Sequence, residues 1–284
     1  MSMIHSDSQR QSHSQNQSES QSSRAWTPWV VLYRKELIEM WRSYKLLWVP
    51  LVFVLFGASQ PVATYYMPDL LQASGGLPEG AVVQIPMPTG AEMMANTLSQ
   101  FSFIGVLVLV LAFMGVVSGE RASGVVHMIM MKPVPHRAYM LAKWAGMATL
   151  TLIALLGGVA AAWYYTELLI GHVAFPRIAA GTGLYGLWLL FIATLTLLFS
   201  SLFRSGGVTA FLAMGITLVL SLLTGTLGNW MRWGPAALTE HSNTVLLQGG
   251  LADSFGLCLA VALLLIVLLL EGAVRTFRVK GASL

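Results

Sequence analysis

The sequence predicts an all-helical membrane protein, an all-α chain with six transmembrane helices. Only 10% of its 284 residues are charged and 56% are hydrophobic, whereas about a quarter of the residues of a soluble domain are charged. Six runs of about 20 apolar residues are long enough to cross a hydrocarbon core of roughly 30 Å as helices. These runs are continuous, whereas a membrane barrel would show short alternating strands. The predicted spans are Leu46–Tyr66, Gln100–Ser118, Trp144–Tyr165, Gly181–Phe203, Gly206–Gly228 and Phe255–Val274.

The chain divides into a polar tail and a transmembrane domain. Residues 1–24 are dominated by Ser and Gln without an apolar period, which predicts a disordered tail. The tail lacks the basic-then-apolar order of a secretory signal. An extension without an essential role is the simpler interpretation, and a docking or regulatory arm is the alternative. Residues 25–284 form the predicted six-helix domain.

An amphipathic helix precedes the first span, from Trp26 to Leu47. Thr27 and Pro28 suit its N-cap and first position. At 100° per residue the apolar face falls within an arc of about 120°. That face comprises Trp26, Trp29, Val30, Tyr33, Leu37, Met40, Trp41 and Tyr44, and the polar face comprises Arg34, Lys35, Glu36, Glu39, Arg42, Ser43 and Lys45. Its aromatic side chains predict a helix lying on the inner leaflet.

This helix has two interpretations. It either anchors the chain to the bilayer, or it also contacts a cytoplasmic partner. The second interpretation depends on Glu36 and Glu39, which the helical period places on the side facing water.

The basic residues predict the orientation. With the N-terminus inside, 14 of the 16 Lys and Arg residues fall on one side, and only Arg177 and Arg232 fall on the other. Such a bias marks the cytoplasmic side. We therefore expect both termini in the cytoplasm and the chain in the cytoplasmic membrane. The pI of about 9.3 is then explained by basic residues that face anionic lipid on the cytoplasmic side, and it does not indicate a nucleic-acid partner.

The connections between the spans differ in length. The first outer connection, Met67 to about Ser99, carries four prolines, which predicts little regular helix over much of its length. The last outer connection carries Trp230 and Trp233, which suit the membrane interface. Spans four and five are separated by little more than Arg204 and Ser205, which predicts a tight helical hairpin.

The residue types exclude several kinds of transport and catalysis. The centres of the spans carry no charge, so no ion or proton relay is indicated. No Gly-Lys dipeptide occurs, so the chain has no phosphate-binding loop and no ATPase of its own. Neither the histidines nor the single Cys258 predict a metal site. No catalytic constellation lies at mid-membrane, although a Ser, a His and an acid from separate outer loops could still meet.

Gly115, Gly119 and Ser123 form a small-xxx-small pattern in span two. This pattern lets helices approach closely. Packing within the chain is the favoured interpretation, and a dimer contact is the alternative.

A charged segment, Gly119 to Trp144, separates spans two and three. Glu120 and Arg121 follow span two, a methionine-rich apolar run comes next, and Lys132-Pro133 stops it. Pro135 then suits the start of a new helix that leads into span three. The segment predicts two short helices with a break between them, able to transmit a push from a partner. A simple basic connector is the alternative.

The same segment resembles the cytoplasmic loop of type-2 ATP-binding-cassette permeases. The family pattern is Glu-Arg-Glu-x-Gly-Thr, an apolar stretch, a Pro-Val-Ser-Arg-like segment and a Gly-Lys. Matching residues are Glu120, Arg121, Gly124, Pro133, Arg137 and Lys143, and departures are Ala122, Val125, Pro135 and Ala142. The six spans and the helix beginning Tyr33-Arg34-Lys35-Glu36-Leu37 extend the resemblance to nearly everything after Arg24.

The resemblance implies a permease subunit of an exporter. It would pair with a second permease, identical or related, and with two cytoplasmic subunits that bind ATP and magnesium and hydrolyse the ATP; this chain itself would hold no cofactor. The coupling residues carried over are Glu120, Arg121, Gly124, Lys132, Pro133, Arg137 and Lys143. The interfacial helix would contribute Trp29, Tyr33, Arg34, Lys35, Glu36 and Trp41.

Two other functions remain open on the sequence alone. A polytopic membrane enzyme would turn over a substrate without any ATPase, and a signalling subunit would bind an ATPase without moving a substrate.

Overall fold

The computed structural model describes residues 29–73, 87–125, 135–227, 231–250 and 255–281, and within these ranges it contains no strand. The all-helical prediction is therefore confirmed. The helices are α1 (29–42), α2 (Lys45–Ala73), α3 (Gly90–Gln100), α4 (Val106–Phe113), α5 (Ser118–Ala122), α6 (His136–Leu169), α7 (Phe175–Leu202), α8 (Gly206–Leu227), α9 (Ala237–Gln248) and α10 (Phe255–Gly281).

Six helical stretches in the described residues are long and apolar enough to cross a membrane, which confirms the predicted number of spans. They are Lys45–Leu70, Gly90–Ala122, His136–Leu169, Phe175–Leu202, Gly206–Leu227 and Phe255–Val279. Residues 44, 125, 135 and 204, which flank the ends of consecutive spans, therefore lie at one end of the bundle, which we call the charged end. The other end is the opposite end.

Several spans are longer than the sequence indicates, and span two differs most. Its helix begins at Gly90, ten residues before the predicted start, so the first outer connection contains more helix than predicted. Thr89 and Glu92 explain the early start because they form a capping box. The Glu92 amide donates to Thr89 Oγ1 at 3.4 Å, and the Thr89 amide donates to Glu92 Oε2 at 2.7 Å.

Span two is not one continuous α-helix. A π-helical turn, Phe101–Gly105, joins α3 to α4, and a turn at residues 114–117 separates α4 from α5. The Ser200 hydroxyl bridges this second interruption. It accepts from the Val117 amide at 3.0 Å and the Ser118 amide at 3.1 Å, and donates to the Met114 carbonyl at 3.1 Å. One side chain thus replaces the helical hydrogen bonds that the turn removes.

Spans two, three and four form the buried interior, with half or more of their apolar stretches buried, whereas less than a third is buried in spans one, five and six. Span one packs closely against span three where two glycines meet. A Cβ on Gly57 would lie 2.2 Å from the Gly158 carbonyl oxygen. Next to this contact, the rings of Phe53 and Phe101 are 5.0 Å apart. The absence of side chains at both glycines is therefore what allows α2 and α6 to approach.

Two further predictions are decided by the described residues, and the state of the single cysteine is also defined. The tight hairpin is confirmed, because α7 ends at Leu202 and α8 begins at Gly206. The favoured interpretation of Gly115 and Gly119 is wrong within the described residues, because a Cβ at either would meet no atom within 4 Å. Cys258 is a free, buried thiol.

Candidate functional site at the charged end

Three helices bring their charged side chains together at the charged end. Helix α1 contributes Lys35, Glu36 and Glu39, α5 contributes Glu120, and α6 contributes Tyr139 and Lys143. We call these six residues the charged cluster. Most of its members are buried, since Glu36, Glu120, Tyr139 and Lys143 each expose less than a tenth of their surface.

Lys143 is the centre of the charged cluster. Its ammonium donates to the two carboxylate oxygens of Glu36 at 3.0 and 3.1 Å, and lies 2.9 Å from a carboxylate oxygen of Glu120. The residue is only 1% exposed. A buried ammonium is tolerated where carboxylates surround it. Lys143 therefore joins α1, α5 and α6 through one side chain.

Lys35 links the same acids from the other side. Its ammonium lies 2.5 Å from Glu120, 2.6 Å from Glu39 and 3.1 Å from Glu36. Burial by itself would lower the pKa of Lys35, but the neighbouring carboxylates outweigh that effect, Glu36 most strongly, and hold its pKa above the usual range. Lys35 therefore stays charged at any physiological pH.

Tyr139 connects the charged cluster to span six. Its hydroxyl donates a short hydrogen bond to Glu120, and its ring stacks on Phe277 with centroids 5.0 Å apart. The Lys143 ammonium lies 5.1 Å from the centroid of the Tyr139 ring. The Tyr139 ring thus packs between Phe277, on which it stacks, and the Lys143 ammonium, with which it makes a cation–π contact.

Close packing of α1 against α6 brings the acids to Lys143. A Cβ on Gly146 would lie 2.9 Å from Met40 Cε and 3.3 Å from Glu36 Cβ. A side chain here would displace the Met40 methyl group and push on Glu36, so the glycine favours the close approach of α1. Further along, the Tyr33 hydroxyl and Thr149 Oγ1 form a hydrogen bond of 2.8 Å.

The helical period misplaced Glu36, which is a correction to the sequence interpretation. Glu39 does face outward, with half of its side chain exposed, but Glu36 is buried against Lys143. The predicted helix is also interrupted: α1 ends at residue 42, Tyr44 has φ of 56°, and α2 begins at Lys45. Helix α1 is therefore separate from span one, and the face that carries Glu36 and Met40 packs against the bundle.

The other predicted residues of α1 lie around this contact. Trp29 stacks on Tyr33 with centroids 5.6 Å apart. Trp41 is 66% exposed, and Arg34 is also exposed. These exposed positions fit a helix at a membrane surface, which stays a prediction. Trp26, Thr27 and Pro28 lie outside the described residues.

Arg121 and Gly124 lie beside the charged cluster. Arg121 donates to the Ser201 carbonyl at 2.6 Å, and its guanidinium lies 5.4 Å from the Phe277 ring centroid. Gly124 closes the short helix α5 with φ of 74° and donates to the Arg121 carbonyl at 3.2 Å. This left-handed conformation explains why a glycine occurs there.

Arg137 makes a separate ion pair at the surface. It donates to Glu271 on α10 at 2.8 Å, while Arg275, four residues after Glu271 on the same helix, lies 3.8 Å from that carboxylate. The pair connects the start of span three to span six. The remaining predicted coupling residues, Lys132 and Pro133, lie outside the described residues, as does the predicted break between the two short helices.

The charged cluster is suited to mechanical linkage. Carboxylate oxygens of Glu36, Glu39 and Glu120 come within 4.8 Å of one another, but Lys35 and Lys143 already pair with them. Two ammonium groups thus share three carboxylates, and the arrangement is an ion-pair network that already occupies the carboxylate oxygens. Displacing α5 or the start of α6 would pull directly on α1 and, through Tyr139, on α10.

Comparison with known proteins agrees with this architecture. The sequence model of the family described as ABC-2 family transporter protein matches residues 30–247. The chain belongs to the ABC-2 transporter family. It is a permease subunit, the membrane component of a transporter, and family membership implies association with ATP-binding subunits.

A relative extends the match over most of the permease. A protein of Bacillus subtilis (strain 168), named "Uncharacterized transmembrane protein YxlG", is 37% identical over 249 residues, which cover 88% of this chain and 96% of the relative. The match and the six apolar helices identify the permease as a multi-pass membrane protein.

Proposed function

We propose that the permease exports its substrate across the cytoplasmic membrane and takes the energy from ATP hydrolysed on separate subunits. Two ATP-binding subunits would dock at the charged end, and a second permease, identical or related, would complete the transport path. Both termini would then lie in the cytoplasm. The sequence resemblance assigns coupling roles to Glu120 and Lys143, and these two residues meet in the charged cluster.

The observation that carries the proposal is the bridge from Glu120 through Lys143 to Glu36. Glu120 belongs to the segment between spans two and three, where the family resemblance places the contact with the ATPase. A force on that segment reaches span three through Lys143, span six through Tyr139 and α1 through Glu36. The charged cluster therefore supports the role of a coupling element.

A spectroscopic experiment tests this role without knowledge of the cargo. Spin labels at Leu168→Cys and Trp233→Cys, both exposed and near the opposite end, report the distance between two parts of that end. In the assembled complex, we expect ATP binding to change this distance. Two variants test the coupling: Glu120→Lys changes the buried charged cluster, and Arg137→Glu changes an exposed ion pair and so leaves folding intact.

We expect Arg137→Glu and Glu120→Lys to abolish the distance change while ATP hydrolysis continues. Glu240→Lys, an exposed position on α9, is the matched control and should behave as the unmodified permease. Unchanged nucleotide responses in both coupling variants would overturn the assignment. Catalytic turnover by the permease purified alone would support the membrane-enzyme alternative instead.

A further inference from the structure

A polar cavity lies near the opposite end, away from the charged cluster. Its volume is about 120 Å³, and it lies between span two, span four and α9. Its lining residues are Leu98, Ser99, Ser102, Tyr185, Thr239 and Asn243. Five of these six side chains can form hydrogen bonds, and none is charged. Three of these polar residues, Ser99, Ser102 and Tyr185, belong to membrane-spanning helices, where polar side chains are costly and are often functional.

Tyr185 is the most informative lining residue. It is 1% exposed. Its hydroxyl makes no hydrogen bond that meets the usual distance and angle limits within the described residues, and the Ser102 side chain is a close polar neighbour. A buried hydroxyl without a partner is costly in an apolar environment. The hydroxyl is therefore available to a group that enters the cavity.

The other side chains offer mostly unused hydrogen-bonding capacity. Ser102 donates to the Leu98 carbonyl at 3.2 Å and Thr239 donates to the Ala236 carbonyl at 2.8 Å, so each keeps its acceptor sites. Asn243 supplies both amide donors and an acceptor. Together with Tyr185, the cavity offers donors and acceptors to one small group.

The backbone next to the cavity is also special. Ser102 belongs to the π-helical turn Phe101–Gly105. Such turns inside α-helices occur frequently at functional sites. The turn places Ser102 on the wall that faces Tyr185, so an irregular backbone and the polar lining coincide.

We propose that this cavity binds a neutral, hydroxyl-bearing group, such as a sugar or polyol head. A charged group would find no counter-charge among the lining residues and would pay its desolvation cost in full. The volume equals about four water-sized groups, which fits a few hydroxyls of one ring or one polyol. That the bound group belongs to the cargo rests on the proposed function.

Native mass spectrometry of the purified permease tests the proposal. The probes are glucosyl diacylglycerol, diacylglycerol and phosphatidylglycerol, and methyl glucoside serves as a free competitor. We expect the sugar lipid to remain bound more strongly than the other two lipids. If methyl glucoside displaces the sugar lipid, a soluble sugar is sufficient for binding. If it does not, the ligand is the membrane-anchored form.

Two conservative variants locate the binding in the cavity. We expect Tyr185→Phe and Asn243→Leu each to weaken sugar-lipid binding about five- to tenfold, because each removes hydrogen bonds to the ligand. Tyr164→Phe removes a hydroxyl from an exposed tyrosine, 64% exposed on the surface of span three, and should have no effect. Thermal unfolding of each variant confirms that it is folded.

Equal binding of all three lipids, or unchanged sugar-lipid binding in both variants, would overturn the proposal and leave the cavity as a site for water only. This outcome is separate from the proposed function. Loss of the ATP-binding partner would overturn that function while leaving the sugar-lipid result intact.

Discussion

Lys143 on α6 donates hydrogen bonds to both carboxylate oxygens of Glu36 on α1, at 3.0 and 3.1 Å, across 107 residues of sequence. The contact is buried and includes Glu120 from the end of span two. It converts three separate elements into one unit at the charged end. The energetic consequences of this contact can be measured directly.

Replacing Lys143 with methionine should destabilise the permease by about 3 kcal/mol, the lower end of the cost of breaking a buried ion pair, because Lys35 is then the only cation among the described residues that still pairs with the carboxylates of Glu36 and Glu120. Equilibrium unfolding in mixed micelles measures the loss. Arg275→Met, at a side chain that is 73% exposed, should change stability by less than about 0.5 kcal/mol. A loss equally small for Lys143→Met would show that the buried pairs contribute little.

Removing the Ser200 hydroxyl should destabilise span two at its interruption. Ser200→Ala leaves the Val117 and Ser118 amides without their acceptor, which costs about 1–3 kcal/mol for each buried group. The control is Ser201→Ala, since the Ser201 hydroxyl donates only to the Leu198 carbonyl of its own helix. Hydrogen exchange at residues 117 and 118 should accelerate in the first variant and not in the second.

Adding a methyl group at Gly57 should push spans one and three apart. The new Cβ would lie 2.2 Å from the Gly158 carbonyl oxygen, and overpacking of this kind costs about 1–3 kcal/mol or more. Gly215→Ala is the matched control, because no atom lies within 4 Å of its Cβ position. That variant should be neutral or stabilising by up to about 1 kcal/mol, because alanine favours helix. The unfolding midpoints of Gly57→Ala and Gly215→Ala, each compared with the unmodified permease, measure the two effects. Equal midpoints for the two variants would contradict a close contact at Gly57.

The contribution of Lys35 to stability should not depend on pH between about 6 and 9. The pKa of Lys35 is raised in the folded state, so its stabilisation is complete below the unfolded value of about 10.4 and is lost only as pH rises through the folded pKa. The stability difference between the unmodified permease and Lys35→Met should therefore be flat across this range. A decline toward pH 9 would contradict a raised pKa.

The spans and the tight hairpin were predictable because long charge-free runs and the short Arg204-Ser205 link are local features of the sequence. The early start of span two was also encoded locally, in Thr89 and Glu92, but the prolines of the preceding loop obscured that signal. A capping box ahead of an apolar run therefore indicates that the helix begins before the apolar residues do.

The charged cluster was only partly predictable. The family resemblance identified Glu120 and Lys143 as coupling residues, and the helical period placed Lys35 and Glu36 on the polar face of the first helix. Neither pattern indicated that these four side chains meet. Their contact depends on how closely α1 approaches α6 at Gly146, which is a tertiary property. The role of Ser200 was missed for the same reason, because its partners lie more than 80 residues away.

The measurement that tests the central claim most directly is site-specific photocrosslinking in the native complex. A benzophenone amino acid is placed at Arg137, exposed at the charged end, and separately at Trp233, exposed near the opposite end. Our account predicts an adduct with an ATP-binding subunit from position 137 and none from position 233. An adduct from position 233, or a permease that purifies without any ATP-binding subunit at native expression, would contradict the assignment of the charged end as the coupling site.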